Sequence, residues 1–286
     1  MAYYYKHPDL LLFDDNCMIW RYMKLKKFQS MLEDNSIFFS RADEQTDNLE
    51  GEYPEGMITE LGRLFDDEIP SNDGKIYTFR EWHNQREIPS RLISCWSMGT
   101  TESRRMWTEY TDSKESIAIC STVGRFKNCF HDKTPPVVWI GNVRYGKKEN
   151  RLPNSIHRWN VNFWLYPFFA KRDCYRWENE VRAIVNITLR KQAQLNHSSK
   201  GCYVKTDLQI LIESVYIHPQ SQKRLIGQVG AMLANYGFRN VEIYQSPWDS
   251  LPYEATYCSA PFGDNSSSPN QANARAKVSP NPWEST

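Results

Sequence analysis

The stretch Tyr175-Arg176-Trp177-Glu178-Asn179-Glu180-Val181-Arg182-Ala183-Ile184-Val185 constrains the fold of this chain more than any other. Taken at a period of two, it puts Trp177, Val181, Ala183 and Val185 on one face of an extended strand and Glu178, Glu180 and Arg182 on the other. One face can enter a core while the other carries charge. Two carboxylates two residues apart on such a strand lie close together, and each raises the other's pKa unless a cation such as Arg182 intervenes. That arrangement suits chemistry on a cationic transition state. It also suits a solvated strand face, which is the commoner outcome of such spacing in antiparallel sheets.

A chain of 286 residues can bury a core of its own, and it is large for one domain without clearly reaching two. The simplest division is an N-terminal extension (1–17), one α+β domain of mainly antiparallel sheet with flanking helices (18–258), and a tail (259–286). The tail is rich in Ser, Asn, Pro and Gln and has too little apolar surface to offset its ordering entropy, so disorder is expected there. With 35 basic against 34 acidic residues, bulk charge signals neither nucleic-acid binding nor a membrane surface. The seven cysteines form no C-x-x-C pair, which indicates neither a disulfide framework nor a zinc site and fits a reducing cytoplasm. Leu10 to Phe13 is too short and too acidic in its flanks for a signal peptide, and no apolar run is long enough to cross a bilayer.

Several local patterns set the element order. Met18 to Tyr22 reads as a strand, followed by a helix with Leu25, Phe28 and Leu32 on one stripe, closed by Asn35, and then by strand Ile37 to Ser40. Arg21 stands just ahead of the helix start, where a guanidinium and backbone N–H groups can share an anion; a plain surface arginine is the alternative. The acidic run from Arg41 to Glu60 is expected to be a solvated loop, with a divalent-ion site as the lesser possibility. Arg91 to Ser97 reads as a buried strand, and Ser103 can cap a helix carrying Met106, Trp107 and Tyr110 on one face. Ser116 to Cys120 and Val137 to Tyr145 read as strands, with Gly141 either a bulge or a close backbone approach. The aromatic segment 150–169 is expected to pack over the site or to cross the core, and Arg190 to Gly201 to form a loop. Strand Ser214 to Ile217, a helix from Ser221 to Tyr236 ending at Gly237, and strand Val241 to Tyr244 close the domain.

Three of these pieces together resemble the prokaryotic domain-of-unknown-function family 2971: Ile19-Trp20-Arg21-Tyr22, Ser94-Cys95-Trp96-Ser97 with Met106-Trp107-Thr108-Glu109-Tyr110, and Trp177-Glu178-Asn179-Glu180-Val181-Arg182. The order of an arginine on the first strand, a serine-bearing strand and a late E-x-E strand is similar, more distantly, to the Arg-Ser-Glu class of ADP-ribosyltransferases. That resemblance implies an ADP-ribosyltransferase-like fold and an NAD-consuming transferase or glycohydrolase of the toxin or phage-defence kind. It assigns Arg21 to the NAD phosphates, Ser94 or Ser97 to the nicotinamide ribose, Glu180 to catalysis and Glu178 to steering the acceptor. Tyr110 or Trp107 would stack on the nicotinamide. The implied partners are NAD as substrate, a protein or nucleic-acid acceptor, and an antitoxin or regulatory protein; no metal is implied. Ser94 and Ser97, three apart, point to opposite faces of a regular strand, so one alone can face a pocket. Two readings without NAD remain open: a binding module braced by an ion-pair lattice of Arg21, Glu178, Glu180 and Arg182, and a nuclease whose metal is gathered by the acidic loop from Asp43 to Glu52 and the carboxylates of the late strand.

Overall fold

The computed structural model describes residues 3–5, 10, 14–71, 74–131, 136–146, 164–187, 196–198 and 200–248. All of them belong to one compact unit, Met1–Ala255; the tail 259–286 and most of the aromatic segment before Trp164 lie outside the described residues. In the stretch expected as an extension, β1 (Tyr3–Tyr4) adds a short strand to a sheet edge. The strand, helix, strand opening follows as β2 (Met18–Lys24), α1 (Leu25–Asp34) and β3 (Ser36–Arg41). Phe28, Met31 and Leu32 form the buried stripe of α1, each worth roughly 1.5–3 kcal/mol of burial. Asn35 ends the helix in the left-handed region at φ 44°, which its short polar side chain tolerates.

The segment between β3 and the next long strand is helical and aromatic. It comprises α2 (Glu55–Leu64), the hairpin β4 (Ile69–Pro70) and β5 (Ile76–Tyr77), then α3 (Phe79–Trp82), a π turn (His83–Glu87) and α4 (Ile88–Ser90). Tyr53, Ile58, Leu61 and Phe79 form its own small core. The long strand β6 (Arg91–Met98) leads to α5 (Arg104–Tyr110), whose first turn is capped by Ser103 Oγ accepting from Met106 N. Then come β7 (Ser116–Thr122), α6 (Val123–Asn128), β8 (Val137–Asn142), β9 (Arg144–Gly146) and β10 (Ala170–Arg172). The chain closes with β11 (Glu180–Asn186), β12 (Asn196–Ser198), β13 (Gly201–Lys205), α7 (Leu208–Leu211), β14 (Ser214–Ile217), α8 (Arg224–Asn235) and β15 (Glu242–Gln245).

The fold is α+β, a mainly antiparallel sheet with flanking helices. Its main sheet runs β1-β8-β11-β6-β2-β7-β14-β15, with β3, β13 and β12 branching from β6. The branch creates a fork. Strand β2 pairs with β6 only at Ile19↔Met98 and Trp20↔Ser97, then follows β7 along its whole length, while β6 takes up β3 at Ser40↔Ile93 and Arg41↔Leu92. One face of the sheet carries Ile19, Trp96, Val181, Ala183 and Val185 into the main core under α1 and α8. Gly141, opposite Arg182 in an unbroken register, is a close approach rather than a bulge: a Cβ there would lie 3.1 Å from the Phe169 ring.

Four expectations are corrected. The strand of Glu180 begins at Glu180 and not at Tyr175, because Asp173–Glu178 is a 3-10 helix and Asn179 turns the chain at φ 44°. Asp173 and Arg176 form an i,i+3 ion pair at 2.6 Å that favours the helical turn over the extended form. The charged face is not solvated, since Glu178, Glu180 and Arg182 are all 3% exposed or less. The loop expected up to Gly201 contains β12, which pairs with β13. Among the cysteines, Cys17, Cys95, Cys120, Cys129 and Cys202 are free thiols, whereas Cys174 is disulfide-bonded, which the spacing did not foretell. No helix among the described residues is long and apolar enough to cross a membrane.

Candidate active site

The fork between β2 and β6 opens a cavity of about 240 Å³ whose lining includes Arg21, Ser97, Tyr110 and Glu180. Strand pairing explains which serine reaches it. Ser97 lies opposite Glu180 and shares its face, whereas Ser94 lies opposite Ala183 on the other face. There Ser94 Oγ accepts from Arg21 Nη1 at 2.9 Å, and Phe38 O accepts from Arg21 Nη2 at 2.8 Å. Arg21 thus reaches across the fork from β2 to β6 and β3. Its guanidinium lies 5.7 Å from the Trp96 ring centroid. Burial lowers its pKa to about 10, so it remains a cation at neutral pH. Among the described residues it has no carboxylate partner.

A second cavity, of about 270 Å³, shares Arg21, Tyr22, Lys27 and Phe38 with the first and extends toward Met31 and Tyr203. Arg21 thus lines both.

Beneath Glu180 lies a buried ion cluster. Arg182 Nε donates to Glu180 Oε2 at 2.6 Å, and its two terminal nitrogens grip Glu50 at 2.5 and 2.9 Å. Lys171 Nζ donates to Glu180 Oε1 at 3.2 Å and also to Glu178. Tyr110 Oη donates to Glu178 Oε1 at 2.7 Å, and Tyr145 Oη accepts from Glu180 N at 2.9 Å. Charge counting explains how the cluster titrates: the carboxylates of Glu50, Glu178 and Glu180 face the cations Lys171 and Arg182, leaving one excess negative charge. Burial and the neighbouring Glu180 push Glu178 upward, so this carboxyl takes the compensating proton. Burial also acts to raise Glu180, but Arg182 and Lys171 overcome it and hold that carboxylate well below its usual range. The Cys95 thiol, also on the cavity, is pushed up to about 12 by burial and then by Glu180, so it stays protonated and is no nucleophile.

The structure therefore brings Arg21, Ser97, Tyr110 and Glu180 onto one cavity. Glu178 sits behind it, tied to Lys171 and Tyr110, and its backbone carbonyl accepts from Ser97 Oγ at 2.7 Å. Trp107 is core, with its indole nitrogen donating to Glu102. Two members of the cluster were not singled out by the sequence. Glu50 belongs to the run expected to be solvated, yet it is 4% exposed; its neighbour Asp47, 2% exposed, is paired with Arg172 at 2.8 Å. Lys171 follows the apolar run Phe168-Phe169-Ala170, and a lysine next to a buried run is the one local hint that it would need carboxylate partners.

No protein-family model matches the chain, so the resemblance to family 2971 has no support from one, and no curated protein is significantly similar. Among solved structures, Thermus sp. 2.9 DarT in complex with NAD+ is similar at a TM-score of 0.35 and 8% identity, over 82% of this chain and 97% of that one. The same protein in complex with ADP-ribosylated ssDNA is similar at a TM-score of 0.34 and 11% identity, over the same shares. Likeness at this level carries no argument about this chain, whose function has to be argued from its own side chains.

Proposed function

We propose that this chain consumes NAD, transferring the ADP-ribosyl group to a macromolecular acceptor or, as a glycohydrolase, to water. The observation that carries the proposal is the forked cavity, whose lining includes both an arginine without a carboxylate partner and a carboxylate held ionised. Arginine has five N–H donors, and Ser94 and Phe38 O each take one from a different terminal nitrogen, so the remainder are available to a pyrophosphate between the two cavities. Their volumes together fall in the range of small-molecule sites, enough to take parts of a dinucleotide next to Arg21. As the ribose C1–nitrogen bond breaks, nicotinamide leaves with the electron pair and the ribose becomes an oxocarbenium ion. Glu180, already ionised and fixed by Lys171 and Arg182, stabilises that charge without reorganising. An acceptor oxygen or nitrogen then bonds to C1 and releases its proton to solvent. Ser97 and Tyr110 border the reacting ribose and nicotinamide, and Glu178 acts through Glu180 as a positioning residue. A chain that spent NAD unchecked would harm its host cell, so the proposal extends to a bacterial cytoplasmic toxin or defence effector restrained by an antitoxin or regulatory partner.

Nicotinamide release from NAD, with and without protein, RNA or DNA as acceptor, is the direct test. Glu180→Gln is expected to lower release at least about a hundredfold, the scale of losing one preorganised electrostatic contact. Equal release by both proteins would remove Glu180 from the mechanism. The completeness of the buried ion cluster favours a second reading, a non-catalytic binding module braced by it. On that reading Glu180→Gln lowers thermal stability and no chemistry is lost, because none is present in the wild type. The nuclease alternative is weakened by the engagement of Glu50 with Arg182 and Asp47 with Arg172, which takes both carboxylates away from metal ligation.

A further inference from the structure

Gln45 follows the short 3-10 turn Ala42–Glu44 and lines the same cavity as Arg21 and Glu180. Its Nε2 donates to Ser40 Oγ at 2.6 Å and, at a longer 3.3 Å, to Arg41 O. Both partners are acceptors at these positions. Arg41 offers a carbonyl, and the Ser40 hydroxyl spends its own proton on Ile93 O at 3.4 Å. The amide is therefore held with its NH₂ toward the protein, and a flip would set Oε1 against the Arg41 carbonyl. Oε1 is left with no partner among the described residues. Ser40 and Ile93 pair on the face that carries Ser97 and Glu180, so Gln45 is anchored to the floor of the cavity.

We infer that Gln45 Oε1 is a specificity-determining acceptor that reads an exocyclic NH₂ group of the bound ligand. The inference rests on the dinucleotide proposal above. NAD offers that chemistry in two places, the nicotinamide carboxamide and the adenine 6-amino group. A carboxylate or a carbonyl in place of either would face the amide oxygen with a second acceptor, and one unpaired acceptor in a half-buried site costs about tenfold in affinity or more.

The test uses the full chain with three substrates: NAD, nicotinic acid adenine dinucleotide, which carries a carboxylate for the carboxamide, and nicotinamide hypoxanthine dinucleotide, which carries a carbonyl for the adenine amine. Wild type is expected to prefer NAD over one of the analogues by about tenfold or more in kcat/KM, and the rejected analogue identifies which end Gln45 reads. Gln45→Met keeps the length and removes the acceptor. It should raise the KM for NAD about tenfold with kcat little changed, and bring the preference toward unity. Gln45→Lys, if the carboxamide is the group read, should reverse the preference toward the carboxylate analogue. Both variants alter the bonds to Ser40 and Arg41 O and are expected to melt slightly below the wild type, and the KM-against-kcat split separates that from the loss of recognition. Equal treatment of all three substrates by wild type, or an unchanged preference in Gln45→Met, would overturn the inference while leaving NAD consumption standing. If wild type neither binds NAD nor releases nicotinamide from it, the dinucleotide proposal fails and this inference falls with it.

Discussion

Replacing Lys171 by methionine keeps the length of the side chain and deletes a cation that touches both Glu178 and Glu180. At 3.2 Å, in an effective dielectric of about 20, the ammonium is worth about 5 kcal/mol of attraction to the Glu180 carboxylate. Relief from burying an ammonium returns several kcal/mol, so a net loss of about 3 kcal/mol near pH 7 is expected, at the low end for breaking a buried pair. The loss should depend on pH in a defined sense. The folded pKa of Glu180 is depressed, so its contribution is present above the unfolded carboxylate value of 4.5 and disappears as the pH falls through the folded value of about 2. The variant lacks most of that contribution at any pH. Wild type and variant should therefore differ most near neutrality and converge as the pH falls below about 4.5. Urea unfolding followed by tryptophan fluorescence, near pH 7 and near pH 3, measures both quantities. A difference under about 0.5 kcal/mol near pH 7, or one of equal size at both pH values, would refute the charge count on which the site description rests.

Asn179 turns the chain between the 3-10 helix and β11 at φ 44°, and its side chain donates to Met98 O at 3.1 Å. Asn179→Val should cost about 1–2 kcal/mol, measured by denaturant titration, whereas Asn179→Gly should cost less because only the side-chain bond is lost. His83 is 1% exposed, its Nε2 donates to Gly51 O at 2.8 Å, and burial lowers its pKa from 6.5 to about 4. The unfolded chain takes up this proton first, so about 3 kcal/mol present above pH 6.5 is lost as the pH falls through about 4. Removing this group in His83→Gln should flatten that part of the stability profile.

Local rules reached the elements and one face of the site. Leu25, Phe28 and Leu32 at helical spacing and Asn35 at the stop were sufficient for α1, as was Ser103 for the start of α5. Period two assigned Ser97 and Ser94 to opposite faces of β6, and Val181, Ala183 and Val185 to the core. What was not legible depends on partners remote in the chain. Glu50 meets Arg182 across 132 positions, so nothing near Glu50 distinguishes it from an exposed loop acid such as Glu44. Arg21 reads as a surface arginine until the divergence of β2 from β6 creates the gap that it crosses, and that divergence exists because β3 takes the place of β2 beside Ile93 and Leu92. The turn at Asp173–Glu178 was hidden for another reason: its aromatic and charged alternation also satisfies a strand, and the Asp173 to Arg176 pair and the left-handed Asn179 outweigh it.

The two residue pairs that join β2 to β6 also set how the sheet can come apart. On one side of the seam β2, β7, β14 and β15 keep their own continuous ladders, and on the other β8, β11, β6 and β3 keep theirs. Parting along the seam breaks few backbone bonds, so it is a low-cost sub-global opening for the domain. The amide of Gly99, which donates to Met18 O across the seam at 3.2 Å, should then exchange with deuterium ahead of those in the strand interiors on either side. A molecule that spans the gap and engages Arg21 from one bank and Glu180 from the other would act as a clamp, and slower exchange at the Gly99 amide would report its arrival before any product is made.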